Sequence, residues 1–82
     1  MESKKTEIRL PDLGEIDEAR VVQWLRDVDA VVATDEDLLE VETEKTTFVV
    51  PSPIAGRLIE IVAPEGESVK RGGVLGRIEQ SG

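Results

Sequence analysis

The sequence predicts an all-β domain, a flattened barrel or sandwich of two small antiparallel sheets with internal two-fold pseudosymmetry (a barrel-sandwich hybrid). Three observations carry that prediction. Short apolar runs rich in Val, Ile and Thr alternate with Gly, Pro and Asp punctuation, the pattern of strands and turns. Only Asp35 to Glu44 has a composition compatible with a helix, and Val41 and Thr43 argue against one there. The chain also repeats itself: Ala19 to Glu42 lies on Gly56 to Glu79 without a gap at a shift of 37 positions.

Taken in order, strands are expected at Glu7 to Leu10, Ala19 to Leu25, Leu38 to Glu42, Thr47 to Val50, Gly56 to Ile61 and Leu75 to Glu79, with short pieces near Val31 and Val69. In the repeat, Arg20 meets Arg57, Val22 meets Ile59, Leu25 meets Val62, Val32 meets Val69, Leu38 meets Leu75 and Val41 meets Ile78. Upstream, Ile8 to Pro11 matches Phe48 to Pro51 at a shift of 40, which puts a longer connection in the first half, within Gly14 to Ala19. Neither half can bury an apolar face alone, so the two should pack on each other. Pro51 and Pro53 lack backbone donors and should end their strand. The expected organisation is a flexible segment at 1–6, one folded domain at 7–79 and a tail at 80–82.

Composition narrows the function. A chain of 82 residues, 39% hydrophobic, builds one core and buries roughly 60% of its unfolded surface. There is no cysteine and no histidine, so disulfides, thiolates and the commonest general base and metal ligand are absent. Ser3, Ser52, Ser68 and Ser81 have no imidazole to activate them, which speaks against a self-contained hydrolase. A net charge of -8 repels phosphate backbones and anionic lipid, so proteins are the expected partners, not nucleic acid or membranes. The acidic run Asp35, Glu36 and Asp37 lacks the glycine and terminal glutamate of a calcium loop and reads as a solvated face, with no metal site expected. Trp24 and Phe48, each the sole residue of its type, read as core anchors. No apolar run is long enough to span a bilayer, and the start MESKKTEIRL lacks a secretory apolar core. The expected location is the bacterial cytoplasm, or the mitochondrial matrix for a processed eukaryotic precursor.

Lys45 falls between the two halves, just after Glu42 and just before Phe48, and should sit at a hairpin tip. Thr43 to Thr46 contains no Gly, so a type I turn with a polar, exposed tip is expected rather than a primed turn. Its symmetry partner is the place where the chain ends meet. An ε-amine on a flexible four-carbon stem accepts acyl groups when deprotonated, and the amide formed leaves its cargo mobile.

At these residues the sequence resembles the lipoyl domains of the biotinyl/lipoyl attachment family, as found in dihydrolipoamide acyltransferases of 2-oxo acid dehydrogenase complexes. The likeness is carried by LPDLGE at Leu10 to Glu15, VVQWL at Val21 to Leu25, Glu40 to Pro53, AGRL at Ala55 to Leu58, PEGESV at Pro64 to Val69 and GGVLGRIE at Gly72 to Glu79. It implies lipoate joined by an amide to Lys45, with Glu44 in the place of the family's aspartate. The lipoyl arm then passes acyl groups and reducing equivalents between active sites, and the domain has no catalytic residue of its own. The implied partners are a thiamine-diphosphate 2-oxo acid decarboxylase, the acyltransferase core, dihydrolipoamide dehydrogenase and a lipoate ligase or lipoyl/octanoyl transferase, with the isolated domain monomeric. Glu42, Glu44 and Thr46 are the expected recognition residues at the hairpin, and Glu15, Ile16 and Asp17 those of the loop read by the decarboxylase. Biotin carriers share the fold but flank their lysine with methionine, and the only methionine here is Met1. An unmodified interaction module is the other alternative.

The chain departs from the family pattern in two places. Where the family places turn glycines it carries Asp29 and Asp35, keeping glycine only at the counterparts Gly66 and Gly72; aspartate tolerates positive φ at modest cost. The loop Glu15 to Arg20 is about one residue shorter than the family's and lacks its glycine.

Overall fold

A computed structural model, which describes residues 4–11 and 17–80, forms strands wherever the β-branched runs occur. They are β1 (Lys5–Arg9), β2 (Glu18–Trp24), β3 (Val31–Val32), β4 (Asp37–Glu42), β5 (Thr47–Pro51), β6 (Gly56–Ile61), β7 (Ser68–Lys70) and β8 (Val74–Gln80). Every expected strand is present. The first begins at Lys5 rather than Glu7, the last runs to Gln80, and β5 ends at Pro51, where the missing donor stops the ladder. There is no helix among the described residues.

The strands form two antiparallel four-stranded sheets, ordered β1-β8-β6-β3 and β5-β4-β2-β7. One order becomes the other when β1, β2, β3 and β4 are exchanged for β5, β6, β7 and β8, so the two-fold relation is real. The halves do not each form a sheet, however. Each sheet takes two strands from either half, so the halves are interleaved rather than stacked. Neither sheet closes on itself, which makes the fold a sandwich with edges and not a closed barrel.

Between the sheets lies one core, with Ile8, Val21, Leu38, Leu39, Val41, Leu58, Leu75 and Ile78 at most 1% exposed. Leu38 and Leu75 are pseudosymmetric counterparts, as are Val41 and Ile78, and full burial of each such side chain contributes about 1.5–3 kcal/mol. Trp24 and Phe48 pack against this core as anchors, and the Trp24 indole N–H donates to the Ala63 carbonyl at 2.8 Å. The Trp24 ring lies over Gly76, where a Cβ would come within 3.0 Å of it and 2.7 Å of the Glu60 carbonyl. Here the symmetry breaks by exchange: β8 carries Gly76 where β4 carries Leu39, and the indole fills the space.

Four tight turns repeat across the two-fold. In each, the amide of the fourth residue donates to the carbonyl of the first: Ala30 to Asp27, Glu36 to Ala33, Glu67 to Pro64 and Gly73 to Lys70. The third residue has positive φ in every case: Asp29 at 80°, Asp35 at 68°, Gly66 at 88° and Gly72 at 79°. That is the signature of a type II turn, and it explains why only Gly or a short polar residue stands there.

The ladder corrects the register expected for the first strand. Ile8 pairs with Gly76 and Thr6 with Ile78, while Val50 pairs with Leu39 and Phe48 with Val41. Ile8 therefore corresponds to Val50 and Thr6 to Phe48, a shift of 42 and not 40. The first connection is longer by five residues, most of them outside the described region.

Candidate functional site

β4 and β5 form a hairpin whose last ladder pair is Glu42 with Thr47. Beyond it the Thr43 amide donates to the Thr46 carbonyl at 2.7 Å, and the tip is closed by a side chain. The Thr43 hydroxyl oxygen accepts from the Lys45 amide at 3.2 Å and the Thr46 amide at 3.1 Å, and its hydrogen goes to the Thr46 carbonyl at 3.1 Å. The expected type I bond from the Thr46 amide to the Thr43 carbonyl is replaced by this side-chain cap, a threonine turn. Lys45 is exposed at the tip, and its Nζ makes no hydrogen bond or ion pair with the described residues.

The surface beside the tip is acidic. Arg20 of β2 lies opposite Glu42 in the ladder and binds its carboxylate. With Glu18, Ala19, Thr43, Glu44 and Ser68 they line a shallow pocket of about 220 Å³. A cofactor held without a covalent bond normally needs a deep, mainly apolar cavity, and this polar depression is not one. An amine displayed clear of its neighbours fits a covalently tethered group instead. At the opposite, pseudosymmetric position β8 finishes beside the start of β1, with the Gln80 amide donating to the Lys4 carbonyl at 2.7 Å.

The Biotin_lipoyl family model, described as biotin-requiring enzyme, matches residues 6–78. The solution structure of the lipoyl domain of the 2-oxoglutarate dehydrogenase complex from Azotobacter vinelandii superposes with a TM-score of 0.75 at 31% identity, covering 93% of this chain and 98% of that one. The chain belongs to this family, as a lipoyl domain. The succinyltransferase component of the 2-oxoglutarate dehydrogenase complex of Bartonella vinsonii subsp. berkhoffii is 51% identical over 90% of the lipoyl domain and 18% of its own length. The acetyltransferase component of the pyruvate dehydrogenase complex of Corynebacterium glutamicum is 45% identical over 89% of this chain and 11% of that protein. The lipoyl domain thus spans less than a fifth of either relative's length. In this setting the lipoyl domain is a carrier, not a catalyst, and a biotinyl role is not favoured.

Of the expected recognition residues, the fold brings Glu42, Glu44 and Thr46 to the tip of the lipoyl domain beside Lys45. Asp17 stands just before β2, where its carboxylate pairs with Arg71 at 3.1 Å and its carbonyl accepts the Arg71 amide at 2.8 Å. Since β2 enters beside Glu42, Asp17 is on the same end of the molecule. Glu15 and Ile16 lie outside the described residues. Sequence reasoning missed Thr43, which organises the tip. A threonine two and three residues ahead of otherwise unbonded turn amides was the available signal.

Proposed function

We propose that Lys45 carries lipoate and that the domain serves as a swinging arm, passing acyl groups and reducing equivalents between active sites of a 2-oxo acid dehydrogenase complex. The observation that carries this reading is the exposed Lys45 amine, unpaired among the described residues, at the tip of a two-stranded hairpin. When attached, the lipoyl group supplies a dithiolane able to hold acyl groups and electrons. The chain's own residues hold and present it. β4 and β5 keep the tip away from the core, and the four-carbon lysine stem leaves the arm mobile. Glu42, Glu44 and Thr46 form the surface read by a lipoate ligase or a lipoyl/octanoyl transferase. Asp17, with Glu15 and Ile16, supplies the recognition by a thiamine-diphosphate decarboxylase.

The acyltransferase core and dihydrolipoamide dehydrogenase complete the partner set, and the names of the relatives support it. Those relatives are much longer proteins, which favours a domain tethered to an acyltransferase component. The domain is read as monomeric, working in the bacterial cytoplasm or mitochondrial matrix.

The test is acyl loading. Lipoylated wild type is offered to the decarboxylases for pyruvate, 2-oxoglutarate and branched-chain 2-oxo acids, each with its substrate, and read by intact mass. One acyl increment from at least one of them, absent in Lys45→Arg, is expected. No increment from any, beside a control lipoyl domain that is acylated, contradicts the reading.

A further inference from the structure

We infer that Thr43 is the positioning residue for modification of Lys45: its hydroxyl holds the hairpin tip in the one conformation that a lipoate-attaching enzyme engages. The inference rests on the reading of Lys45 as the attachment site. A hydroxyl offers one donor and two acceptor positions, and all three are used inside the tip, on Lys45 N–H, Thr46 N–H and the Thr46 carbonyl. The Thr46 carbonyl in turn accepts from both the amide and the hydroxyl of Thr43. Thr43, Lys45 and Thr46 therefore form a closed set of hydrogen bonds that includes the lysine's own amide.

Other contacts leave this task to Thr43. The last ladder pair is Glu42 with Thr47 and the Thr43 amide bonds the Thr46 carbonyl beyond it, so among the described residues the bond from the Lys45 amide to that hydroxyl is what holds the two residues between them. The tip contains no proline to fix its φ, and Glu44, Lys45 and Thr46 are all exposed, so packing does not fix it either. A β-branched side chain is stiff at χ1, which keeps the oxygen under the two amides. Glu42 is meanwhile held to the sheet by Arg20. Without the hydroxyl, the tip amides turn to water and the tip samples several conformations. Only a fraction of molecules then presents the amine correctly, and apparent affinity falls by that fraction.

The experiment compares wild type, Thr43→Val and Thr43→Ser as substrates for a lipoate ligase with lipoate and ATP at varied domain concentration, alongside amide hydrogen exchange. Thr43→Val should lower kcat/KM roughly fivefold to tenfold, the size expected for losing a hydrogen bond of ordinary strength. The loss should lie mainly in KM. Lys45 and Thr46 amides should exchange several-fold faster, while the Leu58 amide, bonded to the Ala30 carbonyl at 2.9 Å, keeps its rate. Thr43→Ser should restore both readouts to within about twofold of wild type, since it keeps the hydroxyl and loses only χ1 stiffness. Unchanged kinetics in Thr43→Val, failure of serine to rescue, or slower modification without faster tip exchange would each overturn the inference. A wild type left unmodified, while a control lipoyl domain is modified, sinks the assignment of Lys45 and the inference with it. That failure is separate from a modified wild type indifferent to position 43.

Discussion

The Lys45 tip and the place where β8 finishes beside the start of β1 occupy equivalent positions in one duplicated scaffold, yet they are built differently. Each lies at the end of an antiparallel pair, β4 with β5 or β8 with β1. Each has an arginine beside a glutamate one strand inward, Arg20 with Glu42 or Arg57 with Glu79 at 3.3 Å. Between β1 and β8 the described residues end in an open pair, with Lys5 opposite Glu79 and the Gln80 amide on the Lys4 carbonyl. At the other end four residues close it, capped by a threonine hydroxyl.

The outward faces differ as well. β1 presents Lys5, Glu7 and Arg9 where β5 presents Thr47, Val49 and Pro51. Arg77 binds Glu60 at 2.5 Å where Gln23 binds Glu40 at 3.2 Å. The ladder and the core need neither the tip nor any particular charge pattern, so those features are free to differ, whereas the counterparts inside the sandwich answer to folding.

That division can be broken most forcefully in the core. Leu38→Ala and Leu75→Ala, counterparts with no exposure, should each lower stability by about 3 kcal/mol. The two values, from urea unfolding, should agree within about 1 kcal/mol if one core serves both halves. A near-neutral result on one side would show that the halves are not equivalent.

Gly76→Ala probes the broken symmetry. Its Cβ would meet the Glu60 carbonyl and the Trp24 ring, so a loss of about 2 kcal/mol is expected. A wild-type melting temperature would mean that Trp24 does not fill that space.

Gly72 and Asp35 share a turn position with φ of 79° and 68°. Gly72→Ala should cost about 1 kcal/mol, the ordinary price of a left-handed non-glycine residue. Asp35→Gly, and likewise Asp29→Gly, should stay within about 0.5 kcal/mol of wild type or exceed it, as relief of φ strain offsets the freer unfolded chain. A clear fall in melting temperature for both aspartate variants would contradict the turn assignment.

The smallest effect is in acid. Glu36, whose counterpart is Gly73, is held below its ordinary pKa of 4.5 by the Ala33 amide and by Arg26, which it binds at 2.5 Å. Because the folded pKa lies below the unfolded one, the stabilisation is present above the unfolded value and is lost as pH falls through the folded value. Glu36→Gln should flatten the acid limb of the stability curve below about pH 4.5 and leave its shape near neutrality unchanged. An unaltered acid limb would show that Glu36 contributes nothing to it.

What the sequence revealed follows the same division. Strand positions were legible because alternation of β-branched residues directly reflects a half-buried pleat. The positive-φ turns were legible because Asp29 and Asp35 fall on Gly66 and Gly72. Strand neighbours were not, since alternation reports which face a residue occupies and not which strand lies beside it. Two halves stacked and two halves interleaved therefore read alike. The error in the first strand has a related cause: shifts of 40 and 42 are both even and preserve the inward and outward parity. The coincidence of Pro11 with Pro51 favoured the wrong one, and only the ladder of Ile8 and Val50 decides. Lys45 was legible because it interrupts the repeat. The Thr43 cap was not, since the residue's part in it depends on where two amides point.

The central claim, that the closed tip exists to present Lys45 for lipoylation, is tested most directly by intact mass with tryptic localisation. Wild type and Lys45→Ala are incubated with a lipoate ligase, ATP and lipoate, beside a matched biotin ligase reaction. One lipoyl increment on Lys45, absent from the variant and with no biotin added, is the predicted result. No lipoyl increment beside a working control domain would contradict the claim, and the biotin reaction would then tell a biotin carrier from an unmodified module.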